Sequence, residues 1–247
     1  MSLAFTARSL RAVFLSAGET QASTRGDFSA WHHGRPWFWF WAIDAALPAI
    51  VERVQRAQQC LAPYLLDDYV RAPHVTLSLC GFPPTDTTGE GEYDGRRLDA
   101  QCHALRQLAR RPFELQVAEL DSFRSAPFLW VRDPAQQLPA VRACLSGHPQ
   151  DHAEQEYVPH VTVGLYSAAW PSAPLARLLQ EFDPGPVLKL PVERLSLMRY
   201  ASHEIGGQLE TMADFWLGSQ QLIWRPAFSQ LAGAFRLAGG AADDCCQ

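Results

Sequence analysis

The chain has 247 residues, 47% hydrophobic and 19% charged, enough for one large domain or two small ones with a proper core. Its formal charge of −5 argues against a surface built to grip long nucleic acid, where phosphate neutralisation calls for a basic excess. A local pocket for a small nucleotide or a chain end needs no such excess.

In chain order, residues 1–35 read as an N-terminal extension that ends in the polar W-H-H-G-R-P. The A-V-F-L run after Arg11 is too short for a secretory leader. The longest apolar run, Trp37 to Ile43, falls far below the roughly 18 residues of a membrane helix, so a cytoplasmic protein without membrane contact is expected. W-F-W-F-W-A-I (37–43) predicts a buried strand, and Leu47, Ile50, Val51, Val54, Ala57 and Leu61 keep the spacing of one helix face. R-A-P-H-V-T-L-S-L alternates as a strand ending at Cys80-Gly81, and residues 82–95 are loop by composition. A helix is expected over 96–110, strands over 113–120 and 127–131, and a helix from Leu138 to Leu145 that stops at Gly147. A strand over 157–166, a short helix near 174–182, and strands near 192–198 and 210–217 follow. The last helix, 226–238, starts with Pro226 and ends at Gly239, with Trp224, Phe228, Leu231 and Phe235 forming a stripe that packs on the main domain. Interleaved strands and helices predict an α+β or α/β domain with two similar lobes over 36–218, followed by a C-terminal helix and tail over 219–247.

The chain spells P-H-V-T twice, with His74 and His160 standing 86 residues apart, one copy in each expected lobe. Side chains at i and i+2 of a strand point the same way, so His74 and Thr76 share a face, as do His160 and Thr162. Two strands with those faces lining one groove would hold two imidazoles and two hydroxyls. That set suits a phosphate ester. One histidine can deprotonate an attacking water while the other protonates the leaving oxygen, each transfer being worth about 10²–10⁴-fold in rate. The threonines can donate to non-bridging phosphoryl oxygens. Neither motif contains a carboxylate that would build a hard metal site, so metal-independent acid/base chemistry without a cofactor is expected.

With its paired H-x-T motifs in a two-lobed chain, the sequence resembles the 2H phosphoesterase superfamily, and within it the bacterial 2′,5′-RNA ligase and 2′,3′-cyclic nucleotide phosphodiesterase branch. F-W-A-I-D (40–44), H-V-T-L-S-L-C-G (74–81), F-L-W-V (128–131) and the segments E-R-L-S-L-M-R-Y and G-G-Q-L-E-T-M-A-D-F-W-L within 193–217 carry the likeness over roughly residues 36–218. The resemblance implies an α+β fold with pseudo-two-fold antiparallel sheets around a central cleft and helices outside. It makes His74 and His160 the acid/base pair, in an order the sequence leaves open, and Thr76 and Thr162 the phosphate-binding hydroxyls. The implied reaction opens 2′,3′-cyclic phosphates of nucleotides or RNA ends to 2′-phosphates. A non-catalytic module holding a nucleotide or RNA end, or a phosphodiesterase for a non-RNA cyclic phosphate, are the alternatives. Many relatives place an arginine after the second motif, where this chain has Gly164-Leu165-Tyr166.

Tyr166, six residues beyond His160, shares its face on an unbroken strand and is a candidate substrate contact. Phe40, from the alternating W-F-W-F-W, is a candidate stacking ring, with core packing as the competing role. Arg199 is a candidate phosphate clamp, as are Arg71 and Arg124. H-P-Q-D-H (148–152) reads as a polar turn, and the six cysteines, with no C-x-x-C, as reduced thiols.

Overall fold

The computed structural model describes residues 7–24, 26, 28–83, 93–146 and 157–231. Its helices and strands run in the order α1 (Ala7–Ser16), α2 (Ser29–His32), β1 (Trp37–Asp44), α3 (Pro48–Leu61), β2 (His74–Gly81), α4 (Gly95–Leu108), β3 (Phe113–Ser122), β4 (Pro127–Arg132), α5 (Leu138–Leu145), β5 (His160–Thr162), α6 (Ser172–Glu181), β6 (Leu188–Val192), β7 (Arg194–Ala201), β8 (Glu210–Trp216) and β9 (Gln221–Trp224). The architecture is α+β with two antiparallel sheets, ordered β2-β1-β7-β8-β9 and β5-β4-β3-β6. Each H-x-T strand is therefore an edge strand, and the two edges lie against each other.

Local chemistry explains the boundaries. Proline opens α3 at Pro48 and sits in the first turn of α5 at Pro139, where a missing N–H has no helical bond to lose. Asp94 caps α4 by accepting the Arg97 N–H at 2.9 Å. The α3 stripe buries Ile50, Val54, Ala57 and Leu61 as spaced, while Leu47 stays 36% exposed ahead of the helix. In β1 the tryptophans and phenylalanines part as strand alternation requires. Trp39 and Trp41 enter the main core, and Phe38 and Phe40 face the other side with Tyr200. Burying a ring of this size stabilises by roughly 3 kcal/mol or more. The main core is continuous across both sheets, from Val75 and Leu77 to Val117, Leu129 and Val161.

Three expectations meet corrections. The strand expected over 157–166 is only three residues long; its register with β4 ends at Thr162, and the Val163 N–H still donates to the Pro127 carbonyl at 2.9 Å. Gly164 then lets Leu65 approach to where a Cβ would stand 2.9 Å from its Cδ1, and Tyr166 bridges to Leu65 instead. The single strand expected near 192–198 is two strands in different sheets, joined at Glu193. Pro191 in β6 is tolerated because β6 is an edge. The last helix begins as a 3₁₀ turn over Pro226–Phe228 and is helical over 229–231, with the rest of 226–238 outside the described residues. Within the described part, Trp224, Phe228 and Leu231 do pack on the main core.

The N-terminal segment is docked. Phe14 belongs to the main core, and Arg11 Nε bonds Asp121 Oδ1 at 2.8 Å. At the other end, β9 extends the first sheet beyond residue 218. Among the described residues no helix is long and apolar enough to cross a membrane, and Cys60, Cys80, Cys102 and Cys144 are not in disulfides.

Candidate active site

The two tetrapeptides occupy equivalent places. Val75 and Val161 point into the main core, so His74 and Thr76, and His160 and Thr162, turn to the opposite side. With β2 against β5, the two histidine–threonine faces come together, and His74 lies near enough to His160 to feel its charge. Each histidine uses Nδ1 in the same way. His74 Nδ1 bonds the Ala72 carbonyl at 2.8 Å, and His160 Nδ1 bonds the Val158 carbonyl at 2.7 Å. A carbonyl only accepts, so each Nδ1 carries its proton and each Nε2 of a neutral ring keeps a free lone pair.

The surroundings differ. His74 packs on Phe40 at 5.6 Å between ring centroids and is 8% exposed. His160 is half-buried between Phe123 at 4.9 Å and Phe128 at 5.4 Å. Burial lowers the pKa of both, because it disfavours the charged imidazolium. For His74 the value falls to about 4, with desolvation leading. The Arg71 and His160 charges add to the fall, and the Ala72 bond and Asp44 oppose it. For His160 only burial lowers, opposed by the Val158 bond.

Two tyrosines cross-brace the motifs. The Tyr157 hydroxyl donates to the Thr76 carbonyl at 2.7 Å, and its ring lies 3.7 Å from the Arg142 guanidinium. Tyr69 hydrogen-bonds the Thr162 side chain, and burial lifts its pKa to about 12, so the phenol stays protonated. Neither was singled out by sequence reasoning, although Y-V stands before each P-H-V-T, at Tyr69-Val70 and Tyr157-Val158. Tyr200, Phe123 and Phe128 carried no comparable signal.

The remaining candidates lie elsewhere. Tyr166 is fully buried and its hydroxyl pairs with Ser122 Oγ at 2.7 Å, because the strand that would have aimed it at the cleft ends at Thr162. Phe40 reaches the cleft side but is 2% exposed, so it backs His74 rather than presenting a face for stacking. Arg199 pairs in register with Trp39 on the core side of β1, bonds Glu210 at 2.6 Å and lies 3.8 Å over the Trp37 ring. It does not reach the cleft. Arg124 Nε donates to the Glu19 carbonyl at 3.3 Å, holding the N-terminal segment. Arg71 stands over the Tyr200 ring at 4.1 Å, beside the cleft. Residues 148–152 lie outside the described residues, and among the described ones no three His, Cys, Asp or Glu side chains group as metal ligands.

A family model described as the 2′-5′ RNA ligase superfamily matches residues 46–204, a span that includes both P-H-V-T copies. No curated protein sequence matches the chain significantly. Among solved structures, LigT of E. coli in its apo form is 18% identical, over 74% of this chain and 98% of its own, with a TM-score of 0.44. LigT complexed with 3′-AMP is likewise 18% identical, over 73% of this chain and 98% of its own, with a TM-score of 0.44. TT0787 of Thermus thermophilus is 19% identical, over 73% of this chain and 97% of its own, also with a TM-score of 0.44.

Proposed function

We propose that this chain, which belongs to the 2′-5′ RNA ligase superfamily, is a phosphoesterase that opens 2′,3′-cyclic phosphates of nucleotides or RNA ends to 2′-phosphates. One observation supports the reading: two imidazoles on strands that lie against each other each have Nδ1 bonded to a backbone carbonyl, which leaves Nε2 of the neutral ring for proton transfer. His74 is assigned as the base. It is the more buried ring, and the Arg71 and His160 charges favour its neutral form. His160 faces no cation of comparable influence and is assigned as the acid. An anionic substrate phosphate in the cleft stabilises its imidazolium further.

In the proposed step, a water oxygen attacks phosphorus and gives its proton to His74 Nε2. The P–O3′ bond breaks, and O3′ takes the proton from His160 Nε2, leaving a 2′-phosphate and a 3′-hydroxyl. Thr76 and Thr162 donate to the non-bridging oxygens, where negative charge must be held. Both proton transfers fall to imidazoles, so the reading needs no metal.

The test is turnover of the four 2′,3′-cyclic nucleotides with a chelator present, using wild type, His74→Ala and His160→Ala. Each substitution should cost about 10²–10⁴-fold in kcat/KM. Wild-type rates in either variant would remove that histidine from the mechanism, and loss of wild-type activity to the chelator would overturn the metal-free step. Tight nucleotide binding without turnover would instead favour a binding module.

A further inference from the structure

The two copies of the repeat differ by an insertion. The first reads Y-V-R-A-P-H-V-T (69–76) and the second Y-V-P-H-V-T (157–162), so Arg71-Ala72 has no counterpart in the second. The second motif is followed by V-G-L-Y-S (163–167), and no cation comes from that strand.

The inserted arginine is held in a defined place. Val70 is 57% exposed, and its N–H donates to the Gly206 carbonyl at 3.0 Å, pinning the segment to the turn between β7 and β8. Gly206 has a φ of +75°, and a Cβ there would stand 3.3 Å from Tyr69 Cα. Glycine alone takes that backbone conformation cheaply and leaves room for Tyr69. The Arg71 guanidinium lies 4.1 Å from the Tyr200 ring centroid and hydrogen-bonds the Tyr200 hydroxyl. Tyr200 is 5.9 Å from Phe40, and Phe40 is 5.6 Å from His74. A continuous row of rings thus leads from the guanidinium to the first imidazole. Arg71 Nε is shielded from solvent with no hydrogen-bond partner among the described residues. Since water does not reach Nε, an anion would meet the guanidinium through its Nη groups. The planar fork of arginine matches phosphate oxygens.

We propose that Arg71, presented by the two-residue insertion, binds the anionic oxygens of a phosphate ester in the cleft, with Tyr69 positioning Thr162 as a second donor. The proposal rests on the cleft being a phosphate-ester site. A protonated Tyr69 can donate to Thr162 and leave the threonine's own proton for the ligand.

The probe is inorganic phosphate, titrated into the full chain and followed through the imidazole signals of His74 and His160 by NMR. Steady-state kinetics on 2′,3′-cyclic AMP run in parallel. Arg71→Gln should weaken phosphate binding about tenfold or more, the effect expected for a lost charge-assisted pair, and should raise KM more than it lowers kcat. Tyr69→Phe should weaken binding by about threefold, on the scale of one neutral hydrogen bond. Arg71→Met keeps the apolar stem over Tyr200 without the charge, and it gives the same reading should the glutamine variant prove unstable. Unchanged phosphate affinity in both Arg71 variants, or imidazoles in the wild type that ignore phosphate, would overturn the proposal. The two claims fail separately. Turnover that is indifferent to Arg71 leaves the phosphoesterase standing. Phosphate binding through Arg71 without turnover of any cyclic nucleotide leaves only the anion site.

Discussion

The first and second P-H-V-T copies share a spelling and a Nδ1 hydrogen bond, yet they sit in unlike surroundings. The first lies on an eight-residue strand, packs its histidine on Phe40 and has Arg71 close by. The second lies on a three-residue strand, with its histidine between Phe123 and Phe128. Burial lowers the proton affinity of both side chains, and around His74 the Arg71 and His160 charges add to the fall. On the proposed assignment, a cation beside one imidazole and not the other helps to divide one motif into a base and an acid. The repeat supplies the groups, and the departures from the repeat supply the asymmetry.

That contrast can be broken most visibly through the pH dependence of kcat/KM. The proposed mechanism needs His74 neutral and His160 charged, and burial lowers both affinities, that of His74 to about 4. The rate should peak between pH about 4 and about 6.5 and fall about tenfold per unit on the alkaline side. A plateau persisting above pH 8 would contradict the assignment.

Acid stability sharpens the same contrast at a smaller scale. His74 binds its proton less readily folded than unfolded, so its contribution is complete above about pH 6.5 and is lost as pH falls toward about 4. Urea titrations should show a loss of about 1.4 kcal/mol per pH unit in that window, and His74→Gln should flatten it. An unchanged slope in the variant would mean that other groups carry the dependence.

The smallest effect concerns a residue outside the cleft. Tyr166→Phe removes the hydroxyl bonded to Ser122 and should cost about 1 kcal/mol of stability while leaving kcat/KM unaltered. A fall in activity without a fall in stability would return Tyr166 to the site.

Much of this was legible in the sequence because it depends on local spacing. Strand alternation puts Val75 and Val161 in the core and the histidines and threonines opposite, and the same rule sorts Trp39 and Trp41 from Phe38 and Phe40. What escaped depends on where strands stop and which edges meet. Tyr166 failed as a contact because Gly164 and Leu65 end the strand early, a tertiary event with no local signature. Arg199 failed because its facing follows its register with Trp39, which composition does not reveal. Tyr69 and Tyr157 could have been found, since Y-V precedes both motifs, but their cross-braces depend on the contact between β2 and β5.

The most direct test of the division of labour is a ¹H–¹⁵N NMR titration of the two imidazoles in the free protein. His74 should titrate near 4 as the Nδ1–H tautomer, and His160 should take its proton first as pH falls. A His74 that protonates at or above the pH where His160 does would contradict the account.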